Sequence, residues 1–182
     1  MSIDKDALAV SLRRLTDRAH PDGNLRAALH EVTEACVDLF GVRGSGIMLA
    51  DEQNISRYVA ASDGPGRLLE MLESETGQGP CTEAFVLGHA IDVTDLATET
   101  RWPELAAAMA PHDVHAVLGV PVRLGGIIVG TLDVYKDHPA DWDELERAAL
   151  SRFSNIVGMI LGSALSAHEA NELATQLQYA LD

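Results

Sequence analysis

Apolar residues recur at helical spacing near both ends of the chain and at strand spacing between them. Leu8, Leu12, Leu15 and Ala19 fall at steps of four, three and four, a narrow stripe on a helix that stops near His20-Pro21. After Asp22-Gly23-Asn24, a second helix carries Leu25, Ala28, Leu29, Val32, Cys36, Leu39 and Phe40 on one side and is closed by Gly41. From Gly46 the period shortens. Gly46 to Ala50 and Ile55 to Ser62 read as strands joined by the polar turn Asp51-Glu52-Gln53-Asn54. Asp63-Gly64-Pro65-Gly66 breaks the second strand, and Leu68, Leu69 and Leu72 mark a short helix that fades before Gly77-Gln78-Gly79. Pro80 opens another short helix, Cys81 to Leu87, which Gly88 closes.

Ala90 to Val93 reads as a brief strand, and Thr94 to His112 as loop with a helical turn or two around Glu104 to Met109. Val114 to Leu124 and Ile127 to Tyr135 give the strongest strand signal, and Gly125-Gly126 between them is a two-residue hairpin. Pro121 has no N–H to donate, so it requires an edge or a bulge. Asp141-Trp142-Asp143-Glu144 resembles a capping box opening a long helix. Leu145, Ala149, Phe153, Ile156, Ile160 and Ala164 trace its expected buried face, and Leu173, Leu177 and Leu181 carry it past the globular body. Hairpin-joined strands pair antiparallel. The expected architecture is therefore α+β: a central antiparallel sheet with the terminal helices on one face and a helical excursion over the other.

Composition narrows the function classes. Asp and Glu number 28 against 13 Lys and Arg, a formal charge of −15, so a phosphate backbone is repelled and direct nucleic-acid binding is not expected. No apolar run such as Ala116 to Val122 is long enough to span a membrane, and Met1 to Asp6 is polar and acidic where a secretory signal would be basic and then apolar. A cytoplasmic protein without membrane contact is expected, with Cys36 and Cys81 both reduced.

The hairpin Gly46 to Ser62, the segment Gly77-Gln78-Gly79-Pro80-Cys81-Thr82-Glu83-Ala84, the stretch Val93-Thr94-Asp95-Leu96, and Gly119-Val120-Pro121-Val122 through Gly130-Thr131-Leu132-Asp133-Val134 together resemble a GAF domain in order and spacing. Gly79-Pro80-Cys81 followed by Arg101-Trp102-Pro103 is similar to the sensor half of actinobacterial GAF-ANTAR proteins, whose helical ANTAR domain binds RNA and prevents transcription termination. The resemblance implies a dimerisation helix over 1–22, a GAF domain over 23–166, and a linker helix over 167–182 leading toward an ANTAR domain. It implies a sensory module for a small molecule or redox state, with no catalysis expected; a GAF-fold methionine sulfoxide reductase-like enzyme using Cys81 and a ligand-free dimerisation scaffold are the alternative readings.

Candidate chemistry is sparse. Cys81, at a helix start, has the helix dipole to favour its thiolate, which suits a redox sensor, while a tight structural turn explains the same residue. Reductases of this fold that act on free methionine sulfoxide need a second thiol near His112, and none is present, so a lone Cys81 has no resolving partner. Cys36 falls on a core face. His112 and His115 invite haem, but a strand over Val114 to Leu118 separates them, and no third ligand completes a metal site. The resemblance also disfavours a bilin, because Cys81 is followed by Thr82 rather than His, and a cyclic nucleotide, because only Trp142-Asp143-Glu144 echoes that signature. An unidentified small molecule remains, with Cys81, Phe85, Trp102, Met109, His112 and His115 expected nearest a pocket beneath the excursion; the same residues serve equally as core. Ser154, Gly158, Gly162 and Ser166 form a row of small residues at steps of four. With Leu8, Leu12 and Leu15 they are expected to form the seam of a parallel homodimer, or else to pack on the sheet.

Overall fold

A computed structural model describes Asp6, Ala7, Ala9, Val10 and residues 24–181. Leu8, Leu12 and Leu15 lie outside the described residues. In chain order the elements are α1 (Asn24–Phe40), β1 (Gly44–Ala50), β2 (Ser56–Ala61), α2 (Gly64–Thr76), α3 (Pro80–Leu87), β3 (Ile91–Val93), α4 (Pro103–Met109), β4 (Val117–Leu124), β5 (Ile127–Tyr135) and α5 (Glu144–Leu181), with 3₁₀ turns at Leu96–Thr98 and Ala110–His112. The strands form one sheet in the order β2-β1-β5-β4-β3, every neighbour antiparallel.

Turn chemistry sets the strand pairing. In the β1–β2 turn, Asp51 Oδ1 accepts from the N–H groups of Gln53 and Ile55, both at 3.0 Å, and Asn54 takes φ 62°. Gly125 and Gly126, at φ 57° and 80°, supply the two positive φ values that a tight β4–β5 hairpin requires. Pro121 meets both conditions expected of it. The pairing of β3 on β4 ends at Gly119, leaving Pro121 on a free edge, and a register shift follows between Val122 and Arg123.

The helices divide between the two faces of the sheet. On one face α1 and α5 bury Leu29, Cys36, Ile47, Leu118, Val120, Leu132, Val134, Leu150, Val157 and Leu161 in a single apolar cluster. On the other, α2, α3 and α4 close over Leu69, Ala84, Leu96, Trp102, Leu105, Met109, Val117 and Tyr135.

A reciprocal capping box starts α5: Glu146 N–H donates to Asp143 Oδ1 at 2.7 Å and Asp143 N–H to Glu146 Oε2 at 2.9 Å. Its buried face differs from the expected one. Leu150, Ser154, Val157 and Leu161 go inside, whereas Leu145 is 81% exposed, Ile156 44% exposed, and Phe153 and Ile160 sit at the margin. The cause is close approach: a Cβ on Gly158 would stand 2.4 Å from the Arg123 carbonyl oxygen, so only glycine lets the helix rest on β4 there. The row of small residues therefore splits. Ser154 and Gly158 pack on the sheet, while Gly162 meets nothing within 4 Å and Ser166 is exposed.

The helix α5 is long and apolar enough to cross a membrane by length and composition, contrary to the expectation from shorter runs. Its Leu150, Val157 and Leu161 are nevertheless buried in the domain core.

Candidate functional site

The centre of β5 carries an acid. Asp133 is fully buried, and its register partners on both neighbouring strands are glycines: Gly46 on β1 and Gly119 on β4. Strand residues alternate between faces, so this Gly-Asp-Gly row is a notch in the sheet beneath α2 and α3. Two walls flank it in register, Gly44–Tyr135–Val117 on one side and Met48–Thr131–Pro121 on the other.

Two further acids enter the notch from α2. Asp63 caps that helix by accepting from Gly66 N–H at 2.8 Å, and it also accepts from the Tyr135 hydroxyl, which fixes the helix relative to β5. The buried face of α2 is Gly66, Leu69, Glu70 and Glu73, and both glutamates are fully buried. Glycine makes room for each: a Cβ on Gly46 would fall 1.7 Å from Glu70 Oε1, and one on Gly79 would fall 2.3 Å from the Glu73 carboxyl carbon. From α3, Thr82 N–H donates to Glu73 Oε2 at 2.9 Å, and the Cys81 thiol lies 3.4 Å from Asp133 Oδ2. Gly119 admits the backbone of α3, with the Cys81 Cα 3.5 Å from where its Cβ would be.

Glu73 Oε1 and Thr131 Oγ1 are buried with no hydrogen-bond partner, while Glu70 and Asp133 face each other carboxyl to carboxyl. Buried carboxyl groups without cations resist ionisation. Burial, reinforced by the charges of Asp133 and Glu73, pushes Glu70 well above the ordinary glutamate range. Burial raises Glu73 to about 8 against the opposing Thr82 N–H bond, and raises Asp133 to about 7 against hydrogen bonds from Glu70 and Cys81. Facing carboxyls of this kind satisfy one another only by sharing protons.

The expected Cys81 thiolate is corrected by the same environment. The sulfur is fully buried, and burial together with Asp133, Glu73 and Glu70 pushes the thiol well above its usual value, overriding the start of α3. Burial likewise raises Cys36 to about 11. Iodoacetamide should therefore label both thiols of the native protein at least about a hundredfold more slowly than after urea unfolding, as mass spectrometry over time would show. Rapid native labelling at Cys81 alone would contradict this.

Of the other candidates, Phe85 is buried on α3, and Trp102 and Met109 are buried in the cluster with Leu69, Leu96 and Leu105. His115 is half-buried, its Nδ1 2.8 Å from Asp95 Oδ1, and His112 is exposed on the 3₁₀ turn. Arg101 lies 4.3 Å over the Trp102 ring and pairs with Glu99 at 2.8 Å, a packing role for the Arg101-Trp102-Pro103 motif. The structure thus gathers Cys81 with Glu70, Glu73, Asp133 and Thr131, none of which sequence reasoning selected apart from Cys81. An Asp inside an otherwise apolar strand was the available signal.

A five-stranded antiparallel sheet with helices on both faces and a cluster of buried acids beneath the excursion defines an α+β module. The GAF domain family matches residues 24–161, and the chain belongs to that family. No curated protein matches the chain. Among solved structures it is similar to a domain of a two-component sensor histidine kinase protein from Sinorhizobium meliloti, at 17% identity over 80% of this chain and 95% of that one, with a TM-score of 0.66. The blue-light-absorbing PixJ GAF domain of Thermosynechococcus elongatus aligns at 18% identity over 86% and 94%, with a TM-score of 0.61. The free methionine-R-sulfoxide reductase of Neisseria meningitidis aligns at 18% identity over 92% and 96%, with a TM-score of 0.63.

These likenesses show the fold. The last of them corrects the expectation of a module without catalysis: an enzyme stands among the neighbours at the same degree of likeness as the sensors, so the fold does not set this chain apart from enzymes.

Proposed function

We propose that this chain is the sensory half of a transcription antiterminator of the GAF-ANTAR kind, in which the state of the Glu70–Glu73–Asp133 chamber sets the geometry of α5. A GAF domain is commonly sensory or regulatory, and the neighbours include a sensor kinase domain and a photoreceptor. The observation that carries the reading is the short path from chamber to output helix. Three residues beyond Asp133, Lys136 Nζ pairs with Glu146 Oε1 of the α5 capping box at 3.0 Å and lies 4.1 Å over the Trp142 ring. The next residue of α5, Arg147, reaches Asp92 of β3 at 3.0 Å. A shift of β5 therefore acts directly on the first turn of α5.

At its far end α5 presents a seam. Ile156, Met159, Ser163, Ser166, Ala170, Leu173, Leu177 and Ala180 alternate steps of three and four and are all exposed, the a/d pattern of a coiled coil. A parallel copy of α5 fits it, with the small residues at its middle allowing close approach. This seam keeps Ser166 from the expected row and replaces Ser154 and Gly158, which the sheet occupies. Leu173→Asp with Leu177→Asp should weaken the dimer at least about a hundredfold by light scattering, since each buried Leu contributes about 1.5–3 kcal/mol. Circular dichroism of the domain should stay unchanged. An undiminished dimer would refute the seam.

The sensory reading is tested by spin labels on Thr175→Cys, an outward position on α5. Asp133→Asn should shift the label-to-label distance distribution in the dimer. An unaltered distribution, in a variant that folds, would remove the coupling and the reading with it.

A further inference from the structure

Between α2 and β5 the polar contact is acid on acid. Glu70 faces Asp133 carboxyl to carboxyl, and Glu70, Glu73 and Asp133 are all fully buried. An ionised carboxyl only accepts, so the Glu70–Asp133 contact is a hydrogen bond only while one of the pair carries a proton. Glu73 is turned toward α3, where Thr82 N–H and the Cys81 thiol donate to it. The other titratable groups at this face are Asp63 and Tyr135, hydrogen-bonded to each other where α2 begins, and Arg43 bears on Tyr135. No basic side chain is among the groups that act on the three acids.

The helix that carries the two glutamates is joined to its neighbours by glycines. Gly64 and Gly66 lie in the first turn of α2, and beyond its last turn Gly77 and Gly79 take φ 65° and 141°. Its polar ties to the sheet outside the acids are the Asp63–Tyr135 bond at one end and Ser74 Oγ donating to the Ser56 carbonyl at 2.6 Å at the other.

From this geometry we infer that the proton shared by Glu70 and Asp133 is a latch: while it is present α2 stays on the sheet, and its loss lets α2 lift and uncover Cys81. With both carboxyls ionised, two like charges would face each other with no cation between them. Asp133 stays where it is, because β1 and β4 pair with β5 on either side. The helix α2, with glycine at both ends, carries its glutamates into solvent instead. Cys81 is uncovered in the same step because Glu73, which covers it, leaves with α2. Buried in the closed state, the acids keep their protons above the ordinary carboxyl range, whereas exposed Asp and Glu titrate near 4. Opening therefore releases protons and grows easier as pH rises.

The latch deepens the sensory reading by making the proton what the acids sense, and it rests on that reading only for transmission to α5. The probe is iodoacetamide, with the rate at Cys81 in the native protein divided by the rate in urea-unfolded protein at the same pH, which removes the thiol's own titration. Between about pH 5 and about pH 7 the closed state still predominates, and this ratio should rise about tenfold per pH unit for each proton released. Cys36, buried beneath the other face of the sheet, is reached by global unfolding, so its ratio should stay below that of Cys81 and, unlike it, climb in dilute urea. Over the same pH range the amides of α2 should lose protection against hydrogen exchange ahead of those of α1.

Glu70→Gln puts an amide donor in place of the proton and should lower the pH dependence at Cys81, and adding Glu73→Gln and Asp133→Asn should abolish it. If these variants fail to fold, the pH and urea dependence of the two thiols decide on the unaltered protein. A Cys81 ratio that is constant from pH 5 to pH 7, one that matches Cys36 at every pH, or a slope that survives the triple substitution overturns the latch. A latch that responds as stated, with a label distance on α5 unmoved by Asp133→Asn, stands while the sensory reading falls. A label distance that moves, with a Cys81 ratio indifferent to pH, does the reverse.

Discussion

Raising the pH from about 5 to about 9 is expected to cost the folded protein on the order of 4 kcal/mol, read as a falling urea midpoint at constant m-value. Unfolded Asp and Glu side chains titrate near 4. In the folded protein burial lifts Glu73 to about 8 and Asp133 to about 7, with Glu70 higher still. Between those limits the folded state holds protons that the unfolded chain has released, so stability falls as pH rises, by about 1.4 kcal/mol per unit for each group. The three acids share protons, so their individual losses do not add, and one group displaced by about three units sets the figure. The loss is complete once the folded groups have ionised.

Glu99 and Asp51 are among the acids that act in the opposite sense. Arg101 holds Glu99 at about 2, and Arg57 with the Gln53 and Ile55 N–H groups holds Asp51 low against the effect of its burial. Their contribution is lost only as pH falls below about 4, outside this window. Glu70→Gln, Glu73→Gln and Asp133→Asn combined should flatten the profile and leave the protein more stable than the parent at about pH 8. Replacing buried acids with neutral groups relieves a cost that folding alone does not require. A flat profile in the parent would mean that the chamber is solvated.

The fold was legible because each element had a local cause in the sequence. Gly125-Gly126 required one hairpin, Asp51 to Asn54 another, and Gly41, Gly77 and Gly88 take the left-handed conformation at helix ends. The chamber was harder to read because its parts announce nothing singly. Glu70 and Glu73 look like solvent residues of a short helix whose Leu68, Leu69 and Leu72 draw attention to another side. Gly46 and Gly119 look like ordinary strand glycines until the register sets both against Asp133. Pairing across three strands is a tertiary fact that a pattern along one strand does not contain. The histidines misled for the opposite reason: a rare, versatile side chain stands out in sequence, yet His112 is exposed and His115 is engaged by Asp95.

Replacing Gly158 with Ala is expected to destabilise the protein by about 2–3 kcal/mol, while the same change at Gly162, one turn along α5, is expected to stabilise it by about 1 kcal/mol. In an isolated helix the two substitutions would be equivalent, each gaining the propensity of Ala over Gly. The sheet makes them different. At Gly158 the new methyl would stand 2.4 Å from the Arg123 carbonyl oxygen, and that oxygen belongs to the backbone of β4, beside the register shift at Val122 and Arg123. Strand and helix must part by about an ångström, which loosens Leu150, Val157 and Leu161 together. At Gly162 nothing lies within 4 Å, so the methyl costs no contact within the domain. Thermal melts of the two single variants at one pH would give opposite shifts of midpoint. Equal stabilisation of both would mean that α5 does not rest on β4 through Gly158, and the path from Asp133 through Lys136 to the first turn of α5 would lose its foundation. The opposite shifts would place that path on a rigid helix–sheet contact, with the exposed a/d seam left free for the second chain.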